Sequence, residues 1–147
     1  MKYTIKHVDK FRENYELNPD NSKVVTNYTE EVTTESIEDF SKILKNFMDV
    51  FEENRIMNSD DVKKMFGRDT ISPENIDHIC DYYNFRFRIY NRILDEIGLQ
   101  SITTDSDAFS KRYPIPYELN HYNVTDQKKD NIESEQLEAY YELRVEN

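Results

Sequence analysis

Between Ser72 and Gly98 the chain has a single proline, at its second position, and no internal glycine, so nothing interrupts a helical repeat. Ile76, Ile79, Cys80, Tyr83, Phe87, Tyr90, Leu94 and Ile97 recur at three- and four-residue steps, the period of a helix with one buried face. Ser72 supplies a cap, Pro73 occupies the first position, where its missing N–H costs nothing, and Gly98 is expected to close the helix. About 25 residues at 1.5 Å each make a rod of roughly 37 Å. Tyr82, Phe85, Ile89 and Ile93 widen the apolar arc to roughly 220°, which predicts a central helix covered on two sides. Phe85-Arg86-Phe87-Arg88-Ile89 alternates like a strand, but the longer period overrides it. Arg88 and Arg92 share a polar arc with Asp77, Asp81 and Asp95, a mixed-charge surface and not a basic stripe. Arg86 projects onto the apolar arc, where a guanidinium needs a carboxylate, an aromatic ring or a route to water. It is read as half of a structural ion pair.

The remaining elements arrange themselves around that rod. Tyr3 and Ile5 alternate with polar residues, and Asn18-Pro19-Asp20-Asn21 is turn chemistry, so residues 1–33 predict a small hairpin or meander. Ile37, Phe40, Ile43, Leu44, Phe47, Val50 and Phe51 predict a second amphipathic helix, with Asp49, Glu52 and Glu53 in its last turn, where the helix dipole disfavours anions. Ser59-Asp60-Asp61 opens a short helix that Gly67 stops. Residues 99–131 read as mostly irregular, with a helical turn over Asp107 to Lys111 and an extended Tyr113-Pro114-Ile115-Pro116-Tyr117. Leu137, Tyr140 and Tyr141 predict a C-terminal helix, although AYYELRV also fits an edge strand. The expectation is one α+β domain, mostly helical: a hairpin over 1–33, a helical core over 34–98, and an irregular segment with an acidic helix over 99–147. A small hairpin would pack on a bundle of three to four helices around the long one.

Composition narrows the functional classes. The chain has 147 residues, 30 acids against 19 bases and a formal net charge of -11, which disfavours direct binding to nucleic acid or anionic membrane. No run approaches the ~20 apolar residues of a membrane span, and with a lone cysteine and no leader-like start the expected compartment is the cytoplasm. Two glycines, Gly67 and Gly98, are too few and too far apart for a phosphate-cradling loop. His7, His78, Cys80 and His121 add up to four possible zinc ligands, but on one helix His78 and Cys80 diverge by about 160°. No nucleophile–base or cofactor pattern is present, so no cofactor and no enzymatic activity are expected.

Glu135, Glu138, Glu142 and Glu146 would form a continuous like-charge stripe on the C-terminal helix, with Asp49, Glu52 and Glu53 as a second acidic edge. Carboxylates at that spacing repel by ~0.2–0.5 kcal/mol per pair, so something other than stability is expected to maintain them. One carboxylate per turn gives a charge every ~5.4 Å against a phosphate every ~3.4 Å in one DNA strand, so two edges would be needed to imitate DNA.

A short, acidic, glycine-poor chain carrying Glu135/Glu138/Glu142/Glu146 and Asp49-Val50-Phe51-Glu52-Glu53 resembles the accessory proteins that phages and mobile elements use against host defences, including anti-CRISPR proteins and DNA-mimicking restriction inhibitors. The resemblance implies a cytoplasmic inhibitor that occupies the nucleic-acid-binding surface of a basic partner, such as a CRISPR effector or a restriction enzyme. The alternative is a helical regulatory or antitoxin-like module that binds through an apolar face.

Overall fold

The computed structural model describes residues 1–15, 23–67, 70–102, 108–119, 128–129 and 132–146. The alternation at the start of the chain becomes a long strand pair: β1 (Lys2–Tyr15) and β2 (Lys23–Thr34) run antiparallel, with Tyr3 opposite Thr34. Tyr3, Ile5, His7 and Asp9 are buried on one face, and Lys2, Thr4, Lys6 and Lys10 alternate with them on the other. The expected hairpin is therefore present, but as part of a larger sheet. On the other side of β1 lies β5 (Ile132–Glu146), which also pairs with β3 (Ala108–Pro114), while the two-residue β4 (Lys128–Lys129) pairs with the start of β5. Every pairing is antiparallel and the order is β2-β1-β5-β3.

This overturns the expectation of a mostly helical bundle carrying a small hairpin. Three α-helices cover a sheet that is the organising layer. The acidic C-terminal helix is instead β5, an interior strand and not an edge. The physical reason lies in Ala139, Tyr141, Leu143 and Val145, all buried at every second position, with Leu143 wholly enclosed. Leu137, which a helix would have placed in the core, is 45% exposed. The helical turn expected from Asp107 to Lys111 falls in β3 from residue 108 onward, and Asp107 lies outside the described residues.

The helices keep most of their expected starts and shift their ends. In α1 (Ile37–Phe47) Ser36 is the cap, its Oγ accepting from the Asp39 amide at 3.3 Å. The helix stops early because Asp49 takes a left-handed φ of 53°, which aspartate tolerates better than most residues. Asp49, Glu52 and Glu53 thus lie beyond α1, with only Asp49 still next to the negative end of its dipole. In α2 (Ser59–Phe66) the cap is Asn58, one residue earlier than expected, in a reciprocal capping box with Asp61. Ser72 Oγ accepts from the Asn75 amide at 3.4 Å to open α3 (Pro73–Ile102), which continues through Gly98.

The core forms where α1 and α3 cross the inner face of the sheet. Phe40, Leu44 and Met48 from α1 and Ile89, Ile93 and Ile97 from α3 join Tyr3, Ile5, Leu143 and Val145 in one apolar cluster. The deepest side of α3 runs through Tyr82, Arg86, Ile89 and Ile93, whereas Tyr83, Phe87 and Leu94 are only half-buried. The widened part of the apolar arc, read as its margin, is its centre. Phe51, Met57, Val62 and Ile76 make a second cluster that holds the α1–α2 connection against the start of α3. Asn84 fixes it further, accepting from the Met57 amide at 2.7 Å and donating to the Met57 carbonyl at 2.9 Å.

Candidate functional site

In an antiparallel sheet covered on one face, alternate residues of each strand meet water. The outer face of this sheet is a cross-strand charge ladder: Glu31, Lys6, Glu142 and Arg112 lie side by side from β2 to β3. Lys6 pairs with Glu31 at 3.6 Å, and Arg112 with Glu142 at 3.0 Å. Lys10 pairs with Glu138 at 3.6 Å and Arg144 with Glu146. Lys10 and Arg112 also cover the Tyr140 ring, at 6.0 and 4.5 Å from its centroid, so this outward tyrosine is buried beneath cationic stems. A shallow groove on this face is lined by Lys2, Lys6, Arg144, Glu31, Glu142 and Glu146, with both signs interleaved.

The expected acidic ridge is therefore not a ridge. Glu138, Glu142 and Glu146 each have a cation within ion-pair distance. At ~3.3 Å per strand residue, carboxylates four positions apart stand ~13 Å from one another, far from the ~3.4 Å phosphate spacing of a DNA strand. Glu135 sits opposite Arg12 in the β1–β5 register.

Asp49, Glu52 and Glu53 have a different setting. All three are exposed and make no ion pair among the described residues. Phe51, between them, packs with Ile76 and Cys80, which sets this segment against the first turns of α3, where Asp77 and Asp81 are also exposed and make no ion pair among the described residues. The local field registers on Cys80, whose thiol is pushed up by burial first and then by Asp77, Asp81 and Asp61. Lys45 Nζ donates to the Glu52 carbonyl at 3.0 Å, and Arg55 is engaged by Asp61 through a two-pronged contact of 2.8 and 2.7 Å. That pairing and the Asn58 amide hold the Asp61 carboxyl down at about 2.

A buried polar cluster joins sheet to helices beside the end of α1, next to Asp49, and of its members the sequence pointed only to Arg86. His7 stacks on Tyr141 with ring centroids 5.1 Å apart, and its Nε2 is 3.5 Å from Asp9 Oδ2. Arg86 donates to the Met48 carbonyl at 3.2 Å and to the Tyr141 hydroxyl, with its guanidinium 4.2 Å from the Tyr82 centroid. Arg86 was expected in an ion pair; the partners it finds here are a carbonyl, a phenol and rings. Burial pushes the Tyr141 hydroxyl up to about 12, Arg86 opposing, and lowers His7 against the pull of Asp9. The signal for this cluster was available: His7 and Asp9 continue the inward phase of Tyr3 and Ile5.

Cys80 is half-buried and His78 exposed on α3, and His121 lies outside the described residues. No group of three potential ligands converges among the described residues. No helix is long and apolar enough to cross a membrane, again among the described residues. The chain matches no protein-family model and has no significant match among curated proteins or solved structures.

Proposed function

We propose that this is a non-catalytic binding protein whose helical layer, led by Asp49, Glu52 and Glu53, engages the basic surface of a nucleic-acid-handling protein and blocks it, as an anti-defence inhibitor would. One observation carries the reading: Glu31, Glu138, Glu142 and Glu146 on the sheet each have a cation within ion-pair distance, whereas Asp49, Glu52 and Glu53 have none among the described residues. Unmatched exposed charge creates the potential that steers and orients a partner of opposite sign. The C-terminal glutamates serve the sheet in this reading, and DNA mimicry by them is dropped.

A second reading has its own support. Met65 and Phe66, adjacent at the end of α2, are each 48% exposed, and two large apolar side chains side by side can anchor an apolar interface.

Affinity capture from a bacterial lysate at low and moderate salt separates the two. The electrostatic reading expects a basic nucleic-acid-binding protein whose recovery falls steeply with salt. Its capture should be lost in the D49N/E52Q/E53Q protein and kept in E138Q/E142Q. Capture that ignores salt and the triple substitution but is lost in M65S/F66S would establish the apolar interface instead.

A further inference from the structure

Beside the apolar contacts, one polar side chain in the buried cluster bonds both the sheet and the start of the proposed docking segment. Arg86 bonds at once to Tyr141 on β5 and to the carbonyl of Met48, the residue that caps α1 immediately before Asp49. Two enclosed nitrogens in the cluster, His7 Nε2 and Arg86 Nε, have no hydrogen-bond partner within the protein. Asp9 Oδ2, 3.5 Å from His7 Nε2, is near enough to form an ion pair but is not hydrogen-bonded to it. The arrangement is satisfied in charge while the imidazole is neutral and is poised to change when it is not.

We propose that protonation of His7 loosens the α1–α2 connection from the sheet, making the cluster a proton-operated latch on the Asp49–Glu53 segment. A solvent proton adds to the neutral imidazole, and the imidazolium is then drawn towards Asp9 on its own strand and Glu30 opposite it on β2. It is opposed by Arg86 on α3, a like charge in a water-poor setting. Asp49 also faces the cluster, through the fields it exerts on Tyr82 and Tyr141. A ring drawn towards Asp9 leaves its stack on Tyr141, and Arg86, repelled, leaves the Met48 carbonyl. The turn after α1 then keeps its own bonds, Asp49 amide to Asn46 carbonyl at 3.2 Å, Val50 amide to Lys45 carbonyl at 3.1 Å and Lys45 Nζ to the Glu52 carbonyl at 3.0 Å, and the apolar burial of Val50 and Phe51, but loses its polar tie to the sheet. Any consequence for docking rests on the function proposed above; the coupling itself does not.

The test needs no partner. Amide exchange in the intact protein is followed from pH 7.5 to 5, each rate divided by its intrinsic value, alongside the 13Cε1 resonance of His7. Protection at Val50 should fall by about tenfold, at the same midpoint as the His7 ring. The Ile115 amide, bonded to Ala139 at 2.9 Å beyond β5, should change much less. H7Q should abolish the pH response. Constant Val50 protection through the His7 titration, or an unchanged response in H7Q, would overturn the latch. If H7Q does not fold, the two wild-type midpoints decide, and a separation beyond about half a unit overturns it. A working latch in a protein that captures no basic partner would sink the function and leave the coupling standing.

Discussion

Arg86 on α3 donates a hydrogen bond to the hydroxyl of Tyr141 on β5, two side chains 55 residues apart that are buried to 6% and 1% exposure. Replacing Arg86 with leucine leaves the Tyr141 hydroxyl and the Met48 carbonyl without that donor. The expected loss is about 2–4 kcal/mol by urea unfolding. Tyr141→Phe removes one bond and should cost about 1–2 kcal/mol. The double substitution should cost less than the sum, because the bond they share is lost only once. An additive cycle would show that the two do not act together.

Acid stability should show two separate limbs. His7 titrates below its ordinary value of 6.5 when folded, so its contribution is complete above 6.5 and is lost as pH falls below it. Asp61 titrates at about 2 when folded against an ordinary 3.8, so its contribution is present above 3.8 and disappears as pH falls through 2. Asp61→Asn should lower Tm at pH 7 and flatten the second limb while leaving the first. A second limb unchanged in the variant would remove Asp61 as its source.

The two glycines should respond in opposite directions. At Gly98, inside α3, an added Cβ meets nothing within 4 Å, so Gly98→Ala should stabilise by about 0.5–1 kcal/mol. Gly67 ends α2 at φ 88°, where a side chain strains the backbone, and Gly67→Ala should destabilise. Thermal melts of the two single variants check the pair.

Adjacent residues of β5 should differ sharply. Leu143→Ala opens a cavity in the core and should cost about 2–5 kcal/mol. Glu142→Ala removes one side of an exposed cross-strand pair and should cost less than about 1 kcal/mol. Similar losses at both positions would contradict the inward and outward alternation of this strand.

What the sequence revealed depended on how local the deciding interactions were. Ser72, Pro73 and Gly67 act within one helical turn, and each was readable at or beside its observed role. The β1–β2 pair was readable because a turn sequence joins its strands. β5 was not, because Leu137, Tyr140 and Tyr141 fit a helical step as well as a strand, and only pairing with β1 and β3 decides between them. The early stop of α1 was hidden too, since Val50 and Phe51 extend its apolar period while Asp49 turns left-handed. The acidic residues were visible from the start, but their neutralisation depends on register, which no count of glutamates reveals.

The two middle strands of the sheet come from residues 2–15 and 132–146, with Tyr3 lying opposite Val145. Joining them closes a ring that contains nearly everything else in the molecule, and such distant closures slow a folding reaction. During synthesis, β1 has one neighbour for most of that time and an unmatched backbone edge on its other side. The emerging protein is therefore expected to be vulnerable to aggregation until β5 arrives, and refolding to be limited by that one late encounter.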